Sequence, residues 1–286
     1  MNRSMPYIIA TTLCLLGCIT VSYGQDWEQL KNEHSIVYFV QDEGFAHQVS
    51  DKAEFYYQQI ADDLGYVRNS NFWTWENRVK IYIYPDRNSY SKASNMPGWS
   101  EGMADYTHKQ IICYAWHEGF LDGLLPHEMT HLIFRDFVGF KGKVPVWLDE
   151  GVAQWEEPLK RERIKAISKY LLNNRTLLCV EDMLNLDIRK VQGNSIVRIH
   201  SIPDKYGKKQ LLSLSSDDLV RTYYIEAVSL VGFLIEHYGA DSFTEFCRQL
   251  RDGKSFNEAL DFVYPSDITG VDDLEKEWLK YLVVRE

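Results

Sequence analysis

The sequence predicts an α+β protein with a small sheet in its N-terminal part and mainly helices in its C-terminal part. Before residue 115, short segments rich in β-branched and aromatic residues alternate in polarity, which is typical of strands. After Pro158 the apolar residues recur at the three- and four-residue spacing of amphipathic helices. With 45% hydrophobic residues among 286, the chain can bury a sizeable core. We place an N-terminal lobe at 25–158 and a C-terminal helical lobe at 159–286.

The elements of the first lobe follow from local patterns. Val49, Ala53, Tyr56, Ile60 and Leu64 recur at helical spacing, and the glycine after them ends that helix. A proline stops the second of the alternating segments, because it cannot donate to a strand ladder. We therefore predict strands at 36–40, 79–84 and 106–114, a helix from 49 to 64, and a loop at 95–102.

In the second lobe the pattern is helical, apart from a polar stretch that we expect to be a loop. Asp272, with Glu275 three residues later, resembles a capping box at the start of the last helix. We predict helices around 164–171, 224–238, 243–250 and 272–282, and a loop at 193–216.

The most informative motif is an H-E-x-x-H sequence formed by His127, Glu128 and His131. Two histidines four residues apart lie on one face of a helix, so both imidazoles can reach a single Zn²⁺ at roughly 2.0–2.1 Å. Glu128 points about 100° further round the helix. This direction suits a general base acting on a water at the metal better than it suits a third ligand.

The sequence also predicts where this first motif helix begins and ends. Pro126 is tolerated only in the first turn, so we expect the helix to begin near Gly123 or Leu124. Gly139 offers a natural end. The motif therefore lies within the first two turns of a helix that is otherwise largely apolar.

A second acidic segment, from 145 to 158, predicts a short helix that begins at or after its proline. Glu150 is the best candidate for a third ligand, with Asp149 as its rival, because two neighbouring carboxylates cannot face the same ion. Gly151 costs about 1 kcal/mol in a helix relative to Ala, and we expect it to allow close approach to the first motif helix. Glu157 either hydrogen-bonds a ligand histidine or is exposed.

Together these segments resemble the gluzincin metallopeptidases, in which a glutamate follows the H-E-x-x-H helix at a distance. W-L-D-E-G-V-A around Glu150 is similar to the W-L-N-E-G-F-A element of aminopeptidase N-type enzymes, and the size and layout look like the bacterial peptidase MA-like family. The resemblance covers roughly residue 35 to the C-terminus and is strongest from 125 to 157. It implies His127, His131 and Glu150 as ligands of one Zn²⁺ ion and Glu128 as the general base.

The resemblance also implies the finer fold and one further catalytic residue. The fold would be a zincin, thermolysin-like catalytic domain with a small mixed sheet, two active-site helices and a C-terminal helical lobe. A tyrosine at the start of a late helix would donate a hydrogen bond to the developing oxyanion. Tyr224 matches that position and Tyr223 is the alternative, while core packing explains both equally well, since aromatic residues at helical spacing usually pack.

One departure from the family bears on the substrate. Aminopeptidases of this group use a G-A-M-E-N element to bind the free amino terminus of the substrate, and the nearest stretch here, 102–106, lacks its glutamate. An endopeptidase therefore fits better. In gluzincins a strand at the sheet edge lies above the metal, where an extended peptide adds through main-chain hydrogen bonds. We expect 110–113 to line that groove, and the alternative is that they form an ordinary sheet strand.

The N-terminus predicts export. Residues 1–24 combine one arginine with an apolar stretch and small residues before Gln25, as in a cleaved signal peptide. Alternatively, Leu15 to Cys18 resembles a lipoprotein cleavage box, with a signal at 1–17 and a lipid attached to Cys18 that would tie the chain to a membrane. Both interpretations indicate a periplasmic, cell-envelope or secreted protein. The three later cysteines are too few for a disulfide framework, and we expect Cys113 and Cys247 to be small core residues.

The net charge of the chain and its H-E-x-x-H motif together limit the classes of function to consider. A net charge of −10 without a basic run argues against nucleic-acid binding. The leading hypothesis is a zinc-dependent, endopeptidase-like hydrolase that acts on a peptide or protein substrate. The alternative is a zinc-containing envelope protein that binds or scaffolds without catalysis, and a third option is hydrolysis of a non-peptide substrate by the same zinc site.

Overall fold

The computed structural model of this chain describes residues 26–65, 73–94, 101–115, 119–139, 144–191, 195–204, 206–264 and 266–283. The predicted signal peptide, either cleavage site and Cys18 lie outside the described residues. Among the described residues, helices predominate and are accompanied by one small mixed sheet and a hairpin. The α+β class is therefore confirmed. No helix in these ranges is both long enough and apolar enough to span a membrane.

A five-stranded sheet forms the first part of the fold. Its strands, in chain order, are β1 (Glu28–Lys31), β2 (Ser35–Phe39), β3 (Val79–Tyr84), β4 (Gly102–Asp105) and β5 (Gln110–Tyr114). In space the order is β1-β2-β3-β5-β4. The three central strands are parallel and the two edge strands are antiparallel to their neighbours. The predicted strands at 36–40 and 79–84 correspond to β2 and β3.

The strand predicted at 106–114 is wrong in its first half. Residues 106–109 form a turn, in which Asp105 Oδ1 accepts hydrogen bonds from the main-chain N–H groups of Thr107 and His108. This turn joins β4 and β5 as a hairpin, and β4 begins at Gly102, where a loop was expected. The expectation that 110–113 lines a groove at the edge of the sheet is also wrong, because these residues belong to the internal strand β5. The edge strand is β4.

Two helices complete the sheet region and lead to the motif helix. α1 (Glu43–Asp63) buries the apolar stripe that predicted it, and α2 (Arg87–Ser94) follows β3. A π-helical segment, Phe120–Leu124, continues directly into α3 (Leu125–Val138). Pro126 lies in the first turn of α3, and Gly139 ends the helix with a φ of 69° and an N–H that donates to the Arg135 carbonyl. Both predicted limits of this helix are confirmed within one or two residues.

The rest of the chain is mainly helical, around the long buried helix α8. The helices are α4 (Val146–Trp155), α5 (Pro158–Arg161), α6 (Ile164–Asn173), α7 (Val180–Asn185), α8 (Ser216–Tyr238), α9 (Ala240–Arg251), α10 (Phe256–Val263) and α11 (Val271–Val283). The loop predicted at 193–216 is wrong: it contains the antiparallel hairpin of β6 (Ile196–His200) and β7 (Leu211–Ser215). α8 begins eight residues before the predicted start, because Ser215 caps it by accepting from the Asp218 N–H.

The predicted capping box at the start of α11 is not formed. The Glu275 carboxylate is buried and accepts a hydrogen bond from the Val180 N–H at 2.9 Å, so it serves the start of α7 instead. A capping box does occur at α10, between Ser255 and Glu258. The sequence spacing was correct for such a motif, but a distant N–H group competes for the Glu275 carboxylate.

The chain divides into two compact units. Among the described residues, those up to Gln58 and from 73 to Leu132 form the first unit, and 59–65 together with Ile133 onward form the second. The division falls inside the continuous helix α3. The lobe boundary at residue 158 stays a prediction.

Gly151 is the position where helix packing leaves no room for a side chain. A Cβ there would lie 2.5 Å from the carbonyl oxygen of Ala227 in α8. The prediction that Gly151 faces the first motif helix is thus wrong, since its close neighbour is α8. The glycine lets two main chains approach closely, which fixes α4 against the central helix of the second unit.

We expect Gly151→Ala to lower the free energy of unfolding by about 1–3 kcal/mol, the usual cost of overpacking. The neighbour is main chain and cannot move aside as a flexible side chain would. Gly44→Ala is the matched control, because its Cβ would meet an ordinary 3.7 Å contact in an exposed first helical turn. Urea unfolding of both variants tests this, and equal stability of the two would contradict the packing argument.

Candidate metal centre

Helices α3 and α4 carry the candidate metal centre. His127, His131 and Glu150 are all buried, and one potential ligand atom from each lies within 4.8 Å of the others. The two Nε2 atoms of the histidines are 3.1 Å apart. Among the described residues, this is the one group of three or more such side chains that could hold a metal ion. The sequence therefore identified all three members of the cluster.

A buried ion pair fixes α3 against α4 next to these residues. Arg135 Nη2 lies 2.7 Å from Asp149 Oδ2, and both side chains are largely buried. Because α3 is one continuous helix, Arg135 lies on the same face as His131, one turn further on. Asp149, the rival ligand, is engaged by this arginine and does not belong to the metal cluster.

Glu128 is fully buried, and neither of its carboxylate oxygens has a hydrogen-bond partner among the described residues. Its negative charge reaches Cys113 of β5: burial first, and then the charge of Glu128, raise the pKa of the Cys113 thiol. An unpaired carboxylate inside a protein is costly. Such a group is expected where a ligand, a metal or a reacting water completes its environment.

The two tyrosines at the candidate oxyanion position differ in their surroundings. Tyr223 donates a long hydrogen bond of 3.4 Å to the Leu186 carbonyl. The hydroxyl of Tyr224 is buried and has no partner among the described residues. For both, burial and then the negative charge of Glu150 raise the pKa of the phenol. Both tyrosines thus lie in the electrostatic field of the third candidate ligand.

Sequence reasoning missed two arginines near this centre. Arg135 had a signal, since it continues the four-residue spacing of the two histidines along α3. Arg189 had none, because it reaches the site from a short 3₁₀ turn about forty residues after Glu150. Its ion pair with Asp187 is the main cause that raises its pKa, and the charges of Glu150 and Asp149 add to this.

The remaining candidates are placed as follows. Glu157 is nearly buried and accepts a hydrogen bond from Lys160 at 2.7 Å. The hairpin turn before β5 brings Tyr106 edge-on to the His131 ring, with centroids 6.4 Å apart. Cys113, Cys179 and Cys247 are buried and form no disulfide among the described residues, so the core role predicted for Cys113 and Cys247 is confirmed.

The residues present fit a metal ion on chemical grounds. Two imidazoles and one carboxylate converge, because one ligand atom from each lies within 4.8 Å of the others. Comparison of the chain with models of known protein families and with curated proteins found no match. The function is therefore inferred from the side chains of this centre.

Proposed function

We propose that this protein is a zinc-dependent peptidase of gluzincin type, with endopeptidase-like action on a peptide or protein substrate. The observation that carries the proposal is the buried, unpartnered carboxylate of Glu128 beside the cluster of His127, His131 and Glu150. A purely structural metal site has no use for such a base. The predicted export signal would direct this activity to the cell envelope or the medium.

Zinc is the metal that the donor set favours. Two histidines and one glutamate form a known type of catalytic zinc site, which keeps one position open for water or substrate. Two nitrogens on a tetrahedral zinc at roughly 2.0–2.1 Å are about 3.3 Å apart, close to the 3.1 Å between the histidine Nε2 atoms. When bound, zinc lowers the pKa of water and polarises the carbonyl that is attacked.

Two side chains of the protein carry out the rest: Glu128 transfers the protons and Tyr224 stabilises the developing charge. Glu128 takes the proton of the attacking water and passes it to the leaving amine, as a general base and then a general acid. No other side chain among the described residues holds its carboxylate in a hydrogen bond. The Tyr224 hydroxyl, which has no partner among the described residues, would donate to the oxyanion that develops on the carbonyl oxygen.

The sheet supports this assignment through the position of its edge. β4 is antiparallel to β5 and lies at the end of the sheet. A Cβ on Gly102 would lie 2.5 Å from Leu124, so β4 begins against the segment that leads into α3. In the gluzincins that the sequence resembles, a strand at the sheet edge lies above the metal, and a peptide substrate would here add to β4 by main-chain hydrogen bonds.

Tyr224→Phe should lower turnover by about 10²-fold or more, as the loss of one oxyanion donor does elsewhere. Metal content should not change, because the ring and its packing remain. Tyr223→Phe is the matched control and should keep activity within a few fold, since its hydroxyl already has a carbonyl partner. A large loss in Tyr223→Phe with normal Tyr224→Phe would reverse the two roles.

Digestion of casein and of a mixed peptide library, with and without a chelator, tests the proposed function. Cleavage that a chelator stops and added zinc restores is the expected result. Stoichiometric zinc without cleavage would instead favour the non-catalytic envelope protein. Activity on ester or amide substrates alone would favour a non-peptide hydrolase.

A further inference from the structure

A cleft that His127, His131 and Glu150 do not line lies at the ends of several helices of the second unit. Its volume is about 610 Å³, within the usual range for small-molecule sites. The C-terminal helix ends that line it contribute Gln59 and Asp63 (α1), Trp155 and Glu156 (α4), Glu236 (α8) and Tyr281 (α11), and the first residues of α5 and α6 line it as well. Helix C-termini carry a partial negative charge of roughly half an electron, which favours cations. Neither α1 nor α4 has a basic residue in its last turn to meet that charge.

The side chains of the cleft add to this negative potential. Four carboxylates line it against two cations, Arg161 and Lys165. Arg161 is committed to Asp63, at 2.5 Å, and to the face of Trp155. Lys165 lies over the Tyr281 ring, 4.7 Å from its centroid. When all four acids are ionised, two negative charges remain in excess.

Glu156 is the acid of the cleft that keeps a carboxylate oxygen without a hydrogen-bond partner among the described residues. Its side chain is 1% exposed, and one oxygen, Oε1, has no hydrogen-bond partner among the described residues. The other oxygen accepts only a long bond of 3.4 Å from Gln59, which also lines the cleft. Burial, and then the charge of Asp63, raise the pKa of Glu156 to about 8. A donor with a positive charge would relieve both the missing hydrogen bond and the repulsion.

An organic ammonium fits this cleft better than a metal ion. Divalent calcium or magnesium needs at least six close oxygens, whereas the acids of the cleft do not form a metal-type cluster in the described part of the chain. The volume also far exceeds that of an ion. Ile164 and Pro158 add apolar surface for an aliphatic stem.

We propose that this cleft binds a small aliphatic diamine, with one ammonium group hydrogen-bonded to Glu156 Oε1 and the second balancing the remaining excess of negative charge. Glu156 lies six residues after Glu150, about 240° further round α4. The diamine site therefore faces a different side of the helix from the metal centre, and it stands whether or not the protein cleaves peptides.

Titration calorimetry with 1,4-diaminobutane tests the site directly. At pH 8.5 and constant ionic strength, one diamine should bind per chain. At pH 6.5 the affinity should fall by about tenfold, because a carboxyl with a pKa of about 8 is then mostly protonated and neutral. The other titratable or charged groups that face the cleft are Asp63 from α1, Arg161 and Glu162 from the α5 region, Lys165 from α6, Glu236 from α8 and Tyr281 from α11.

Variants separate Glu156 from the general charge of the cleft. Glu156→Gln should lower the affinity at pH 8.5 at least tenfold, whereas Glu162→Gln, which removes an exposed acid of the same cleft, should change it less than about twofold. Circular dichroism verifies that both variants fold. Binding of 1,4-butanediol as tight as that of the diamine, equal affinity in Glu156→Gln, or no rise in affinity of the unaltered protein between pH 6.5 and 8.5 would each overturn the proposal.

Discussion

Glu128→Gln should reduce peptide hydrolysis by at least about 10²–10⁴-fold, the usual contribution of a general base, while the protein keeps about one zinc per chain. Glutamine has the shape of glutamate but cannot take a proton from the attacking water. His127, His131 and Glu150 are unchanged, so the metal should remain. Because the carboxylate is buried without a partner, removing its charge should leave the thermal midpoint equal or raise it.

A matched control separates loss of the base from loss of any buried acid. Glu226 in α8 is also fully buried, and its carboxylate accepts the Leu178 N–H at 2.8 Å. Glu226→Gln keeps that acceptor and should retain activity within a few fold. Steady-state kinetics, metal analysis and melting curves on both variants test whether Glu128 is the general base. Full activity in Glu128→Gln would refute the assignment of the base.

His131→Ala and Glu150→Ala should each lose the metal, with affinity for zinc reduced more than about 100-fold, beyond the 10–100-fold effect of changing a supporting residue. Each variant removes one of three converging ligands. A competition titration against a chromogenic chelator measures the affinity. Loss of cleavage should follow the loss of metal in both variants.

Asp149→Asn is the control that distinguishes the ligand from its neighbour. Asp149 is held by Arg135, so this variant should bind one zinc per chain. It should also unfold at a lower temperature, because breaking a buried ion pair costs about 3–5 kcal/mol when one partner is removed. Stoichiometric zinc in Glu150→Ala together with loss in Asp149→Asn would move the third ligand to Asp149.

The candidate site was largely predictable because its chemistry is local. His127, Glu128 and His131 lie within five residues of one helix, so helical geometry alone places the two imidazoles on one face. Pro126 and Gly139 limited that helix for equally local reasons. Spacing alone did not distinguish Glu150 from Asp149 as the third ligand. The ion pair of Asp149 with Arg135 favours Glu150, because it engages the rival carboxylate.

Other features could not be read from neighbouring residues. The edge of the sheet is β4 rather than β5, because strand order depends on pairing between distant segments. Glu275 caps α7 and not its own helix, since a distant main-chain N–H competes for it. Gly151 faces Ala227 of α8, a partner that its own segment does not encode.

The sequence by itself determined the fold class, most of the longer helices, three strands of the sheet, and the placing of His127, Glu128 and His131 on one helix. Each of these depends on periodicity or spacing within a few turns of chain. Tertiary structure alone decided which buried polar atoms of the described residues remain without a hydrogen-bond partner, among them both oxygens of Glu128, the Tyr224 hydroxyl and Glu156 Oε1. Whether a polar atom is satisfied depends on every segment that packs around it, and those segments are brought together only by folding.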